Sequence, residues 1–118
     1  MCKDDEIRFR HMLDAAREAV EFVKGCERGD LDTDRKLVLA LVKDIEIVGE
    51  AANQITEPTR RCNDQIPWQR IIGMRNRLVH AYFDINLDIL WRTVQEDLPG
   101  LISLIASLVK PDTDPPLK

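Results

Sequence analysis

The residues whose types could support chemistry are concentrated in the segment 68–83. Cations, an imidazole, an amide and a phenol lie together there, and the candidate side chains are Arg75, Asn76, Arg77, His80 and Tyr82. An imidazole can move a proton near neutral pH, and a guanidinium can stabilise charge that develops on a phosphoryl group. This segment is therefore the candidate functional site, and the remaining chain is the scaffold that positions it.

The chemistry open to these side chains is narrow. The sequence has no Asp/Glu/His/Cys cluster at metal-ligand spacing, no glycine-rich phosphate loop, no Gly-x-Ser-x-Gly elbow and no obvious carboxylate pair for glycoside chemistry, so it predicts no metal and no cofactor. RNA transesterification fits the set, because the 2′-hydroxyl of the substrate is the nucleophile. His80 would move the proton and Arg75 would stabilise the phosphorane. The alternative, and the commoner case, is that both are surface or capping residues.

A single helix is predicted for this segment. Pro67 suits a first helical turn, and apolar positions recur at Ile71, Ile72, Leu78 and Val79. Asn76 and His80 would share a face, whereas Arg75 and His80 would diverge by about 140°. They could meet at one ligand if the arginine wraps around, if the last turn is distorted, or if a second copy of the helix faces the first in a symmetric dimer.

The glycine inside this predicted helix needs a reason. Gly73 costs about 1 kcal/mol relative to alanine in a helix interior. A close approach by another backbone would justify it.

The charge distribution favours a local anion site over a broad nucleic-acid groove. The net charge of the chain is −4, which argues against a nucleic-acid partner. Residues 60–83, however, carry five arginines against Asp64 alone. Arginine suits bidentate phosphate contacts. A solvated charged face remains an equal alternative.

The scaffold is predicted to be all-α, in an up-and-down bundle of four or five helices. The few glycines and the low aromatic content argue against an all-β fold. A first helix, about 4–24, has an apolar stripe at Phe9, Leu13, Ala16, Val20 and Val23. A second, about 33–55, has one at Val38, Leu41, Ile45, Val48, Ala52 and Ile55, with Asp32 as a candidate cap.

The last predicted helix begins after Asn86, a candidate N-cap. Its stripe is Leu87, Trp91, Val94, Leu98, Leu101, Ile105 and Leu108. Pro99 interrupts the hydrogen bonding without shifting this register, so a kinked helix is expected rather than a terminated one.

The second helix has more apolar width than one neighbour requires. Leu37, Ala40, Ile47 and Ala51 form a further line beside its main stripe. This width indicates a central helix, or one that also serves a homodimer interface. Glu46 and Glu50 on the same helix are like charges four residues apart, so they are either solvated or paired with arginines of the segment 68–83.

The totals indicate one helical domain at 1–110 and a flexible tail at 111–118. Three dispersed cysteines indicate neither a disulfide framework nor a zinc site. The longest apolar-rich run, Leu98 to Val109, falls short of the roughly 20 residues of a membrane span. With no secretory signal at the start, a cytoplasmic protein without membrane contact is expected.

Four stretches together resemble the HEPN superfamily, specifically its HepT-type toxins. The first is the Arg-x4-His-x-Tyr form of residues 75–82, with a polar residue directly after the arginine. The other three are residues 45–52 (IEIVGEAA), Ile66-Pro67-Trp68 leading into Gly73-Met74-Arg75-Asn76, and Asp97-Leu98-Pro99. The resemblance covers nearly the whole chain apart from the tail.

That resemblance implies a homodimer whose two Arg-x4-His motifs line an interfacial cleft. It implies a metal-independent endoribonuclease of a HepT/MntA toxin–antitoxin pair, with tRNA as the expected target. Arg75 and His80 would be catalytic, Asn76 and Arg77 would support substrate binding, and Tyr82 would receive AMP from the cognate MntA-type nucleotidyltransferase. Two alternatives remain: a noncatalytic HEPN dimer that binds such a nucleotidyltransferase, and a purely structural bundle.

Overall fold

A computed structural model describes residues 1–81 and 84–109, with the side chains of residues 80 and 81 outside the description. In chain order the elements are α1 (Lys3–Phe22), α2 (Asp30–Thr33), α3 (Arg35–Gln54), α4 (Glu57–Cys62), α5 (Trp68–Ile72), α6 (Met74–Leu78), β1 (Val79–Ala81), β2 (Asp84–Ile85), α7 (Leu87–Arg92), a π-helical segment (Thr93–Asp97) and α8 (Leu98–Ala106). The prediction of an all-α fold is confirmed. The predicted tail, 111–118, lies outside the described residues.

The core is built from the predicted apolar stripes. α1 packs against α3 and α8, while α5 and α6 pack against α3. The main stripe of α3 is buried along its whole length, and Phe9, Leu98 and Ile105 are fully buried opposite it. The second apolar line of α3 is less completely covered: Leu37, Ala40 and Ile47 are half-buried, and Ala51 is buried. Within each of these helices, periodicity alone therefore identified the buried face.

Two helices of the described chain, α3 and α7, begin at a residue whose side chain caps them. Asn86 accepts a hydrogen bond from the backbone N–H of Ile89 at 3.0 Å, which confirms it as the cap of α7. The expectation that Asp32 caps the second long helix is wrong. Asp32 lies inside α2, and Asp34 caps α3 by accepting from the N–H of Leu37 at 3.0 Å.

The single helix predicted for 68–83 is also wrong. The chain forms α5, bends at Gly73, forms α6 and leaves the helical conformation at Val79. The N–H of Gly73 bonds the carbonyl of Gln69 at 3.0 Å, so this glycine ends one helix and begins the next. Asn76 and His80 therefore do not share a helical face, and the predicted 140° separation of Arg75 and His80 does not apply.

The last predicted helix continues through Pro99, as expected. Before Pro99, however, the helix changes from α-helical to π-helical hydrogen bonding. Residues 93–97 are π-helical, and Pro99 lies in the first turn of α8, where its missing N–H costs little. The hydroxyl of Thr93 donates to the carbonyl of Ile89 at 2.8 Å. The apolar register is kept, since Val94, Leu98, Leu101 and Ile105 are all buried.

A buried carboxylate joins the start of α1 to the start of α4. Asp5 is fully buried and accepts hydrogen bonds from the N–H of Thr56 at 3.0 Å and from the hydroxyls of Thr56 and Thr59 at 2.5 Å each. Burial by itself raises the pKa of Asp5, but these hydrogen bonds outweigh it and lower the pKa to about 2. Asp5 is therefore ionised at neutral pH and holds the start of α4 against α1 through its hydrogen bonds.

A second buried carboxylate lies between α1 and α3. Asp44 is 2% exposed, and its Oδ2 has no hydrogen-bond partner among the described residues. The pKa of Asp44 is raised from 3.8 to about 7. Burial is the largest cause, followed by the hydrogen bond with Glu18 and by the charge of Glu18. The folded protein therefore holds a proton that the unfolded chain releases between about pH 4 and pH 7.

The stability of the protein should fall as the pH rises through that window, and Asp44→Asn should remove the loss. The amide has nearly the same shape, carries no charge and can donate to Glu18, so we expect the variant to be more stable at pH 8 by about 1–3 kcal/mol. Urea denaturation at pH 5 and pH 8 measures this. Asp14→Asn, at an exposed position on α1, is the control. Parallel losses in wild type and Asp44→Asn would contradict the assignment.

Candidate functional site

Arg75 projects from α6 towards α3 and meets one of the two glutamates noted in the sequence. Its Nε donates to Oε2 of Glu46 at 3.1 Å, and both side chains are partly exposed, at 41% and 31%. An ion pair with this exposure contributes at most about 1 kcal/mol, so a ligand can compete for it. The bond also uses only one of the five guanidinium N–H donors. Arg75 is thus held in place but remains available to a phosphate.

A hollow of about 380 Å³ opens beside this pair. It lies between α3 and the α5–α6 corner, and its lining residues are Glu46, Gly49, Glu50, Asn53, Ile72, Arg75 and Asn76. Glu46, Glu50 and Asn53 follow one another at intervals of four and three residues, which places them on one face of α3. Sequence reasoning found both glutamates but missed Asn53, although this spacing was a signal for it.

Gly49 lies at the contact between α3 and the end of α5, beside the hollow. A Cβ at this position would meet the carbonyl oxygens of Ile71 at 3.4 Å and of Ile72 at 3.5 Å. The C-terminal end of α5 therefore lies directly on the backbone of α3. At Gly73 a Cβ would lie 3.3 Å from the carbonyl oxygen of Gln69, so the close backbone there is that of the preceding helix α5. The approach of two different helices occurs at Gly49.

The arginines of residues 60–83 do not gather at one point. Arg60 donates to the carbonyls at the end of α3, at 2.8–3.1 Å from those of Ala52, Asn53 and Ile55, and lies over the ring of Trp68. Arg70 pairs with Asp97 at 3.2 Å. Arg60 and Arg70 therefore have structural partners, and within the described part of the chain only Arg75 lines the hollow.

The two supporting residues of the candidate set have different positions. Asn76 is exposed and lines the hollow next to Arg75. Arg77 is exposed and does not line it, and its Nη1 lies 3.5 Å from the point that a Cβ on Gly73 would occupy. Arg77 therefore lies near the α5–α6 corner, outside the hollow.

The backbone places His80 at an irregularity of the two-stranded ribbon. Val79 pairs with Ile85 and Ala81 pairs with Asp84, so His80 is an additional residue on β1 with no counterpart on β2. Such a β-bulge interrupts the regular backbone pairing of two strands and is common beside active sites. Tyr82 lies outside the described residues. The structure thus brings Arg75 and Asn76 together, and it fixes His80 only through its backbone position.

The hollow of one chain has more negative than positive side chains, which disfavours the binding of a phosphate. Two carboxylates and one guanidinium line it.

The described residues of the protein contain no group of three or more His, Cys, Asp and Glu side chains that could hold a metal ion. Within the same residues, every helix is too short or too polar to span a bilayer.

The family profile and the individual relatives that this chain resembles point to the same family. Residues 12–108 match the sequence profile of the HepT-like family, described as ribonuclease HepT-like. A probable ribonuclease HepT of Thermococcus cleftensis is 37% identical over 93 residues, covering 75% of this chain and 84% of that protein. Candidate RNases of Caldanaerobacter subterraneus and Methanocaldococcus jannaschii are each 33% identical, covering 85% and 86% of this chain and 89% and 94% of theirs. No solved structure matches the chain. This protein belongs to the HepT-like ribonuclease family, of HEPN type.

Proposed function

We propose that the protein is a metal-independent endoribonuclease, the toxin of a HepT/MntA-type toxin–antitoxin pair, with tRNA as its substrate. The observation that carries the proposal is the position of Arg75. Its guanidinium is held by Glu46 at the edge of an open hollow, with most of its donors available. The family to which the chain belongs and the names of its relatives support the same activity.

The reaction needs a proton acceptor and a positive charge. The 2′-oxygen of one ribose attacks the adjacent phosphorus, its proton passes to His80, and Arg75 stabilises the oxygens of the phosphorane. The bond from phosphorus to the 5′-oxygen then breaks, and that oxygen takes the proton held by the imidazolium of His80, which returns the imidazole to its starting form. The products are a 2′,3′-cyclic phosphate and a 5′-hydroxyl.

A homodimer is part of the proposal because one hollow is a poor phosphate site. Its two carboxylates outnumber its single guanidinium, so a phosphate entering it meets net negative charge. A two-fold axis beside the α5–α6 corner would duplicate the two carboxylates together with Arg75, and it would offset them by bringing the Arg77 and His80 of both chains to the shared cleft. In the proposed system, the cognate nucleotidyltransferase transfers AMP from ATP to the phenol of Tyr82 and releases pyrophosphate. The added negative charge and bulk would block the RNA phosphate.

A noncatalytic dimer that binds a minimal nucleotidyltransferase is the second candidate. The engagement of Arg75 by Glu46, within an acidic hollow, favours it.

Incubation of the purified protein with tRNA in EDTA separates the two. We expect cleavage that leaves 2′,3′-cyclic phosphate ends and that disappears in His80→Ala with the fold retained. Chelator-sensitive cleavage would overturn the mechanism, and an inactive dimer that still binds the nucleotidyltransferase would establish the second candidate.

A further inference from the structure

Glu50 is the acidic group of the hollow that the proposed reaction does not use. It lies one turn beyond Glu46 on α3, about 6 Å along the helix axis. Glu46 is paired with Arg75, whereas Glu50 makes no ion pair with any residue that the structure describes. An exposed carboxylate next to a phosphate-binding arginine repels phosphates, so it weakens RNA binding unless it contacts another part of the nucleotide.

The surroundings of Glu50 suit a nucleobase. The hollow of about 380 Å³ lies within the range of about 300–1,000 Å³ that is usual for small-molecule sites. Ile72, an apolar residue, lines the hollow, and the amides of Asn53 and Asn76 can both donate and accept hydrogen bonds. Unpaired bases in RNA are recognised in this way, on their exposed edges.

The charge of Glu50 selects among the bases. A carboxylate only accepts hydrogen bonds, and its two oxygens suit a pair of adjacent donors. Guanine offers such a pair, N1–H and the N2 amine, on one edge. Adenine and cytosine each place a ring acceptor beside their amine, and uracil flanks its single N–H with two carbonyls. A carboxylate facing either kind of edge meets at least one acceptor, which repels it.

We propose that this hollow binds a guanine base next to the scissile phosphate, with Glu50 as the specificity-determining residue. The proposal rests on the function proposed above. In this arrangement the RNA backbone runs along Arg75, and the base turns towards α3, where its N1–H and N2 amine donate to the carboxylate of Glu50. Asn53 and Asn76 remain for the other polar edge of the base.

The test compares short RNAs that differ at one base beside the cleavage site. We expect guanosine to be cleaved about 5- to 150-fold faster than adenosine, in kcat/KM, with inosine between them because it lacks only the N2 amine. Glu50→Gln should reduce the difference between guanosine and inosine to less than about 2-fold, because its amide presents a donor where the carboxylate presents an acceptor. Glu57→Gln, on the exposed start of α4, is the matched control and should keep the preference.

A binding measurement without turnover separates this proposal from the proposed function. In NMR titrations of the labelled full chain with GMP, IMP and AMP, GMP should bind most tightly and shift the amide signals of Gly49 and Asn53. Selective GMP binding by a protein that cleaves no RNA would overturn the nuclease and keep the base site. Equal cleavage of all bases, or a Glu50→Gln variant that cleaves every sequence faster by the same factor, would overturn the base site and keep the nuclease.

Discussion

Replacing Arg75 with alanine should lower the rate of RNA cleavage by about 10²- to 10³-fold, the effect expected for the loss of one donor group that stabilises the developing negative charge. The free energy of unfolding should change by less than about 1 kcal/mol, because the lost ion pair with Glu46 is partly exposed. Single-turnover cleavage rates and urea denaturation of the same preparations measure the two effects. A large loss of activity without a loss of stability identifies Arg75 as part of the reacting site.

The controls for this prediction come from the same basic segment. Arg75→Lys keeps the charge but loses the planar fork, so we expect it to recover only part of the activity. Arg61→Ala removes an exposed arginine of α4 that does not line the hollow, and it should cleave RNA like the wild type. Wild-type activity in Arg75→Ala would refute the assigned role.

Replacing Asp5 with alanine should lower the free energy of unfolding by about 3 kcal/mol. Asp5 does not line the hollow, so this effect is independent of the candidate site. The substitution removes the acceptor of the N–H of Thr56 and of two threonine hydroxyls, of which the hydroxyl of Thr59 is buried. It also disconnects the start of α1 from the start of α4. Chemical denaturation measures the loss, and Asp4→Ala, the exposed neighbour in the same helical turn, should cost far less.

The pH dependence of the same variant gives an independent check. The pKa of Asp5 is lowered to about 2 in the folded state, so its contribution is complete above about pH 4 and is lost as the pH falls towards 2. We therefore expect Asp5→Ala to lose less stability than the wild type between pH 4 and pH 2. If both proteins lose stability equally in that range, Asp5 is not the carboxylate that titrates.

The sequence alone determined the helical architecture, the buried faces and the family. The stripes of α1, α3 and α8 repeat at intervals of three and four residues, and burial follows them because the same helix faces must leave water. It also placed the candidate chemistry at Arg75, Asn76 and His80 and suggested an arginine partner for Glu46, which the structure confirms. These results depend on side-chain type and local spacing.

Only the tertiary structure decided how these side chains are arranged. Helical periodicity could not show that the chain turns at Gly73 and leaves the helix at Val79, since these ends depend on where α5 lies on α3 and on pairing between β1 and β2. Glu46 and Arg75 are 29 residues apart, and no spacing rule connects them. The hollow lies where Gly49 of α3 contacts the end of α5, and this contact exists only when the whole chain is packed.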